Sequence, residues 1–369
     1  MKQKNKTVLV IEYNTCHVEI FPLYLAYCSD ILNTPQTNIS INYAVPPSRG
    51  LEVYNTLKSK TLKIGSSLIN TIIAKTGLTF IRSRYYRQLT KTLISKVMPD
   101  LIIVNTIEIK NNIYKASLEM INQRSIPTIV MAHDIQDLCH INNRHKKNFY
   151  TVCLTQYNYK YAKQNHVPID GYLSNLYPLY NFHTKTRMNN NTLRIAIPGA
   201  IYPDRHDYNE LLNILKTIKK HNYPSTSIQF NIIANIKHKR AKALLLEINQ
   251  NNLWPYITTF NKRPSDIEFC ETIYNSDLIL PLISEGSVYT KGIVSGSIVH
   301  SGAYRKPLII KQSVAHHMGL NQDNSILYNS YEEITNILET IEIEKLTDAY
   351  RLYCNNQDAQ CRHQLKTLL

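Results

Sequence analysis

The sequence predicts an α/β protein made of two doubly wound parallel-sheet domains facing each other across a cleft. Three observations carry that expectation. Short β-branched runs followed by helix-length amphipathic stretches recur along the whole chain, the pattern of a parallel sheet covered by helices. A chain of 369 residues exceeds what one hydrophobic core usually carries. From Tyr180 to Thr192 the composition turns polar and aperiodic, and the pattern then restarts, as it does across an interdomain linker. The expected units are 1–185 and 190–345, followed by a helical segment at 346–369.

In the first unit, strands are expected at 7–12, 38–44, 101–105, 127–132 and 151–154. Helices fill 20–32, 52–75, 83–97, 112–123 and 156–165. The run Met98-Pro99-Asp100-Leu101-Ile102-Ile103-Val104 reads as a helix ending at a proline and a fully buried strand behind it. In the second unit, Leu193 to Ile197 is a strand broken by Pro198-Gly199. Leu211, Leu212, Ile214, Leu215 and Ile218 then have the spacing of a helix over 208–220. Further strands are expected at 228–233, 278–282, 308–311 and 325–328. Helices alternate with them at 238–250, 265–275, 295–304, 331–341 and 343–367.

Composition narrows the function classes. Hydrophobic residues make up 43% and charged residues 19%, so the chain buries an ordinary core and is neither disordered nor of low complexity. The net charge of +15 is uneven: residues 1–190 hold 23 basic and 10 acidic side chains, residues 191–369 hold 19 and 17. The densest stretch is 51–100, with nine cations from Lys58 to Lys96 against Glu52 and Asp100. That half is expected to meet something anionic. Phe80, Tyr85 and Tyr86 among Arg82, Arg84 and Arg87 suit either an interfacial patch or a solvated helix. Seven cysteines without a C-x-x-C pair signal neither a zinc site nor a disulfide framework, so reduced, cytoplasmic thiols are expected. No run approaches the length of a spanning helix, which leaves peripheral contact at the inner face of a membrane as the expected limit. A Gly-rich dinucleotide fingerprint, a Walker sequence, H-E-x-x-H and G-x-S-x-G do not occur.

Ligands of open α/β sheets bind beyond the carboxyl ends of the strands, and four such places carry suitable residues. In Ser284-Glu285-Gly286 to Ser295-Gly296-Ser297, small residues at a helix start leave N–H groups for a phosphate, Lys291 adds a cation and Glu285 suits sugar hydroxyls. The bland alternative has Ser295 as a cap, Gly296 fitting tight packing and Glu285 solvated. The loop Pro198-Gly199 to Arg205-His206-Asp207 offers a guanidinium for a departing diphosphate, or simply a helix cap at Asp207. His133-Asp134 ends a strand. In Glu12 to Glu19, His17 or Glu19 suits a general base, while Thr15 or Asn14 would equally cap a helix.

The run from Glu285 to Ile310, with Lys306-Pro307-Leu308-Ile309-Ile310 as its strand, resembles the donor-binding segment of GT-B glycosyltransferases, notably those that build bacterial surface polysaccharides. His300 stands where many retaining members place a second glutamate, and Arg205-His206 resembles their Arg/Lys-Lys pair. The resemblance implies two Rossmann-like domains, with the acceptor bound to the first and a nucleotide-diphosphate sugar to the second. Gly199, Arg205, Glu285, Lys291, Ser295, Gly296 and Ser297 would hold the donor, and His17, Glu19, His133 or Asp134 would serve catalysis. No D-x-D stands at a strand end, so transfer without a metal or other cofactor is expected. The expected acceptor is a saccharide or lipid-linked glycan of lipopolysaccharide or capsule synthesis. A sugar-nucleotide epimerase of the same fold and a non-catalytic anion or nucleic-acid binder are the alternatives, although no RNA-binding signature supports specific nucleic-acid recognition.

Overall fold

The computed structural model describes residues 5–12, 20–35, 38–45, 60–63, 79–107, 112–140, 148–174, 177–180, 182, 192–202, 205–237 and 239–368. Two compact units emerge, Met1–Asn175 with Asp358–Leu369, and Leu176–Gln357.

The first unit is a parallel sheet in the order β3-β2-β1-β4-β5-β6-β7. Its strands are β1 (Lys6–Ile11), β2 (Ile39–Val45), β3 (Lys60–Lys63), β4 (Leu101–Ile107), β5 (Thr128–Ala132), β6 (Phe149–Cys153) and β7 (Gly171–Tyr172). Connecting helices are α1 (Phe21–Ile31), α2 (Thr79–Val97), α3 (Asn112–Asn122) and α4 (Gln156–Gln164). Val8 to Ile11 and Leu101 to Val104 are almost fully buried, as strands covered on both faces must be. Asp100 sets their register: its N–H donates to Thr7 O (2.7 Å) and its carboxylate accepts from Thr7 N (2.8 Å), which places Val8 opposite Leu101.

The second unit is a parallel sheet in the order β10-β9-β8-β11-β12-β13. Here β8 is Leu193–Pro198, β9 Ile228–Asn235, β10 Ile257–Phe260, β11 Leu278–Ile279, β12 Leu308–Lys311 and β13 Ser325–Tyr328. The helices are α5 (Tyr208–Lys220), α6 (Lys242–Gln250), α7 (Asp266–Tyr274), α8 (Gly296–Tyr304), α9 (Gln312–Ala315), α10 (Tyr331–Thr340) and α11 (Ile343–Leu368). Leu211, Leu212, Ile214, Leu215 and Ile218 of α5 all enter the core beneath the sheet. Ser265 and Glu268 close a reciprocal capping box at the start of α7. The last part of α11 belongs to the first unit, where Arg362 pairs with Asp30 and stacks over Tyr27, whose hydroxyl donates to Asp358.

Several expectations change. Of the helix expected at 52–75, residues 60–63 form strand β3, paired with β2, and the others lie outside the described residues. The strand expected at 278–282 pairs only through Leu278 and Ile279, because Pro281 has no N–H to donate and Leu282 turns the chain at φ +49. The edge strands β7 and β10 are additional. Tyr86 is buried against Tyr85 in an edge-to-face pair, and Arg87 is paired with Glu119 at 2.6 Å. The aromatic and basic surface patch therefore loses Tyr86 to the core, while the side chains of Phe80 and Arg82 lie outside the described residues. No described helix is long and apolar enough to cross a membrane.

Candidate functional site

Both sheets reverse direction of strand order beside their first strand, between β1 and β4 and between β8 and β11, and in open sheets of this kind ligands bind at such switch points, beyond the carboxyl ends of the strands. In the second unit the residues beyond β8 and β11 are the donor candidates, and the fold brings their loops together.

Strand β8 ends at Pro198, and Gly199 follows at φ +124, a conformation that a side chain resists. A Cβ there would stand 3.4 Å from His206 Nε2. His206 is buried, with its Nδ1–H donating to Pro281 O at 3.0 Å. It forms an antiparallel bridge with Ile283, flanked by Asp207 N to Leu282 O (2.8 Å) and Ser284 N to Arg205 O (3.3 Å). The loops after β8 and β11 are thus zipped to each other. His206 is part of that zip, while Arg205 beside it projects into solvent. Asp207 does cap α5, accepting from Glu210 N at 3.1 Å.

Beyond the zip the chain runs through Glu285, exposed and accepting from Ser313 Oγ at 2.6 Å, to Lys291, also exposed, and then to the start of α8. Ser295 is the N-cap residue, but its hydroxyl caps nothing. Ser295 Oγ and Ser287 Oγ are both buried without a hydrogen-bond partner among the described residues. Gly296 is exposed and has no neighbour within 4 Å of where a Cβ would be, so tight packing does not explain the glycine. Ile298 N and Val299 N donate to Ser295 O at 3.1 and 3.2 Å, which leaves the N–H groups of Gly296 and Ser297, at the positive end of the helix dipole, as the donors an anion could use.

The hydroxyl of Ser297 has a partner inside the fold. It donates to Pro198 O at 3.1 Å and is buried, so the side chain ties α8 to the end of β8 and is not presented to a ligand. What this position offers an anion is its backbone N–H. Ser297→Ala is expected to lower stability by about 1 kcal/mol, the order of one lost hydrogen bond. Nucleotide affinity should change less than twofold. Chemical denaturation beside a nucleotide titration checks both, and a large affinity loss at unchanged stability would return the hydroxyl to the ligand.

Residues that the sequence did not single out join this edge. Tyr202, in the loop after β8, has two guanidinium groups over its ring, Arg240 at 4.2 Å and Arg205 at 5.7 Å from its centre. Glu210, in the first turn of α5, is buried with its carboxylate 3.7 Å from Lys311 Nζ. Burial pushes its carboxyl up to about 7, against the opposing pull of Lys311.

In the first unit, Glu12 directly follows β1 and accepts from Asn105 Nδ2 of β4 at 2.6 Å, while Asn105 Oδ1 accepts from Tyr24. This buried pair marks the first switch point, and an apolar strand reading gives no hint of it. Strand β5 stops at Ala132, so alternation no longer governs His133 and Asp134. Asp134 Oδ1 accepts from Gln136 N at 2.9 Å and caps the turn that follows, and both His133 and Asp134 are half-buried. His17 and Glu19 lie outside the described residues.

No family model and no curated protein matches the sequence. Solved structures do. A glycosyltransferase from Rickettsia africae aligns over 99% of this chain and 97% of its own, with a TM-score of 0.65 and 13% identity. Sucrose-phosphate synthase from Thermosynechococcus elongatus aligns over 98% of both chains (TM-score 0.60, 10% identity). A UDP-N-acetylglucosamine 2-epimerase aligns over 98% of this chain and 94% of its own (TM-score 0.57, 10% identity). What this chain shares with them is the GT-B fold of two α/β units.

Proposed function

We propose that this GT-B protein is a glycosyltransferase that takes its sugar from a nucleotide-diphosphate donor bound to the second unit. The observation that carries the reading is the start of α8: an exposed Gly296 with nothing within 4 Å of a Cβ position, a buried Ser295 hydroxyl without a partner among the described residues, and exposed cations at Arg205 and Lys291 on the loops of the same switch point. A helix start with small residues accepts phosphate, and two cations offset the charge that grows on a diphosphate as it leaves. Their positive charge lets transfer proceed without a metal. Gly199 keeps the floor of the site free of a side chain, and Glu285 accepts from a hydroxyl of the donor sugar.

The acceptor belongs to the first unit in this reading, with the base drawn from His17, Glu19 or His133. Asp134 serves the turn beside it. The cationic excess of residues 1–190 favours an anionic acceptor, such as a phosphate-bearing saccharide or lipid-linked glycan of bacterial surface-polysaccharide synthesis at the cytoplasmic face of the membrane. The fold of a 2-epimerase neighbour supports a second reading, in which the same donor site isomerises or hydrolyses the nucleotide sugar without an acceptor.

Thermal shift against nucleotides and nucleotide sugars, with and without Mg²⁺, tests the donor site, since a ligand of the native state raises the melting temperature. Stabilisation by one nucleotide-diphosphate family, indifferent to Mg²⁺ and reduced at least tenfold in apparent affinity by Arg205→Ala, is expected. Failure of every nucleotide to shift the transition overturns the reading. Release of free or epimerised sugar with no acceptor present moves it to the epimerase.

A further inference from the structure

We propose that Ser313 and the buried Glu210–Lys311 pair are positioning residues for Glu285, orienting its carboxylate for a donor hydroxyl, with the charge of the pair acting on the donor's diphosphate. The inference rests on the donor-site reading above. Glu285 leaves the sheet on a loop whose next residue, Gly286, is at φ +71 with open space around it. Ser313 Oγ, 2.6 Å from Glu285 Oε1, fixes the carboxylate from outside that loop. Ser313 is itself held by the residues before it. Lys311 ends β12 with its Nζ 3.7 Å from Glu210 Oε2 on α5, and Gln312 Oε1 accepts from Asn329 Nδ2 at 2.8 Å beyond β13. Three successive side chains therefore bind three different elements, and the last of them is Glu285.

The charge at the base of this array is unusual. Glu210 is 1% exposed, and its Oε1 has no hydrogen-bond partner among the described residues. An apolar residue would fill the same place without a desolvation cost, so the carboxyl is retained at the expense of stability. The charged groups facing it are Lys311 from β12, Asp207 from the cap of its own helix and Glu285 from the loop after β11. Burial is the largest influence and, with both carboxylates, holds Glu210 protonated toward neutrality, while Lys311 opposes them. With Glu210 ionised, three carboxylates face one ammonium. Protonation removes one negative charge, which favours an approaching diphosphate. Donor affinity should therefore fall as pH rises through neutrality.

The test is calorimetric titration of the whole protein with UDP-, GDP-, ADP- and dTDP-glucose beside the matching free nucleoside diphosphates, from pH 6 to 8.5. Ser313→Ala should weaken the sugar nucleotide about tenfold, leave the free diphosphate unchanged, and be rescued by Ser313→Thr. Glu210→Gln should flatten the pH dependence of sugar-nucleotide affinity. The inference is overturned if Ser313→Ala leaves both ligands bound as before or weakens them equally, or if the pH profile persists in Glu210→Gln. Wild-type protein that binds none of the eight ligands overturns the donor site itself, a result that the wild-type titration alone delivers.

Discussion

Gly296→Val is expected to weaken nucleotide binding about a hundredfold while leaving the fold as stable as before. The residue is the first of α8, is exposed, does not need a positive φ, and has no atom within 4 Å of a Cβ position. A β-branched residue at an exposed first helical position costs stability little, and relative to glycine it restricts the unfolded chain. Every structural demand on the position is thus met by valine. What valine takes away is the volume in front of the first N–H groups of the helix, where a phosphate would stand. Losing well-aimed backbone donors to an anion costs about a hundredfold, and Gly296→Ala should fall between valine and wild type. Titration with the nucleotide found by thermal shift measures the loss, and circular dichroism with thermal melting checks the fold. If valine binds nucleotide as wild type does, the anion lies elsewhere and Arg205 and Lys291 serve a different ligand.

The contrast between Gly296 and Ser297 shows how much of this site the sequence discloses. Both stand in the same run of small residues after an apolar strand, and both read as phosphate ligands. Only the fold separates them, because the partner of Ser297 is Pro198 O, ninety-nine positions away along the chain. His206 is a similar case. It occupies a basic position in a motif, yet Pro281 O and Ile283 draw it beneath the loop. Periodicity reports which face of an element is buried, and so α5, β12 and β13 are legible almost to the residue. It carries nothing about which loop ends meet. Short edge strands escape for another reason: β10 has only four residues, Ile257-Thr258-Thr259-Phe260, with Thr258 exposed, and so few positions establish no period. Strand β3, Lys60-Thr61-Leu62-Lys63, has a single apolar residue and lies within a stretch whose apolar spacing fits a helix.

Glu210→Gln should stabilise the protein at neutral and alkaline pH and leave it unchanged only below about pH 4.5. The glutamate ordinarily titrates near 4.5, and in the folded protein burial raises this to about 7. Below the unfolded value both states carry the proton, and the side chain makes no pH-dependent contribution. Between the two values the folded state keeps a proton that the unfolded state releases, so stability falls as pH rises and has been lost once the folded group ionises. A shift of this size corresponds to about 3 kcal/mol, an upper bound, since relaxation and water around the ionised group reduce it. Glutamine has nearly the same shape, stays neutral and can satisfy the same packing. Its cost is the pairing with Lys311, whose Nζ at 3.7 Å is only partly buried and regains water readily. The wild-type curve of denaturation midpoint against pH should therefore descend between about pH 4.5 and 7 relative to that of the variant, and the two should meet only below about pH 4.5. Parallel curves would mean that Glu210 is ionised in the native protein throughout this range. Lys311 would then be holding a permanent anion, and the charge beneath Glu285 would be fixed instead of titrating.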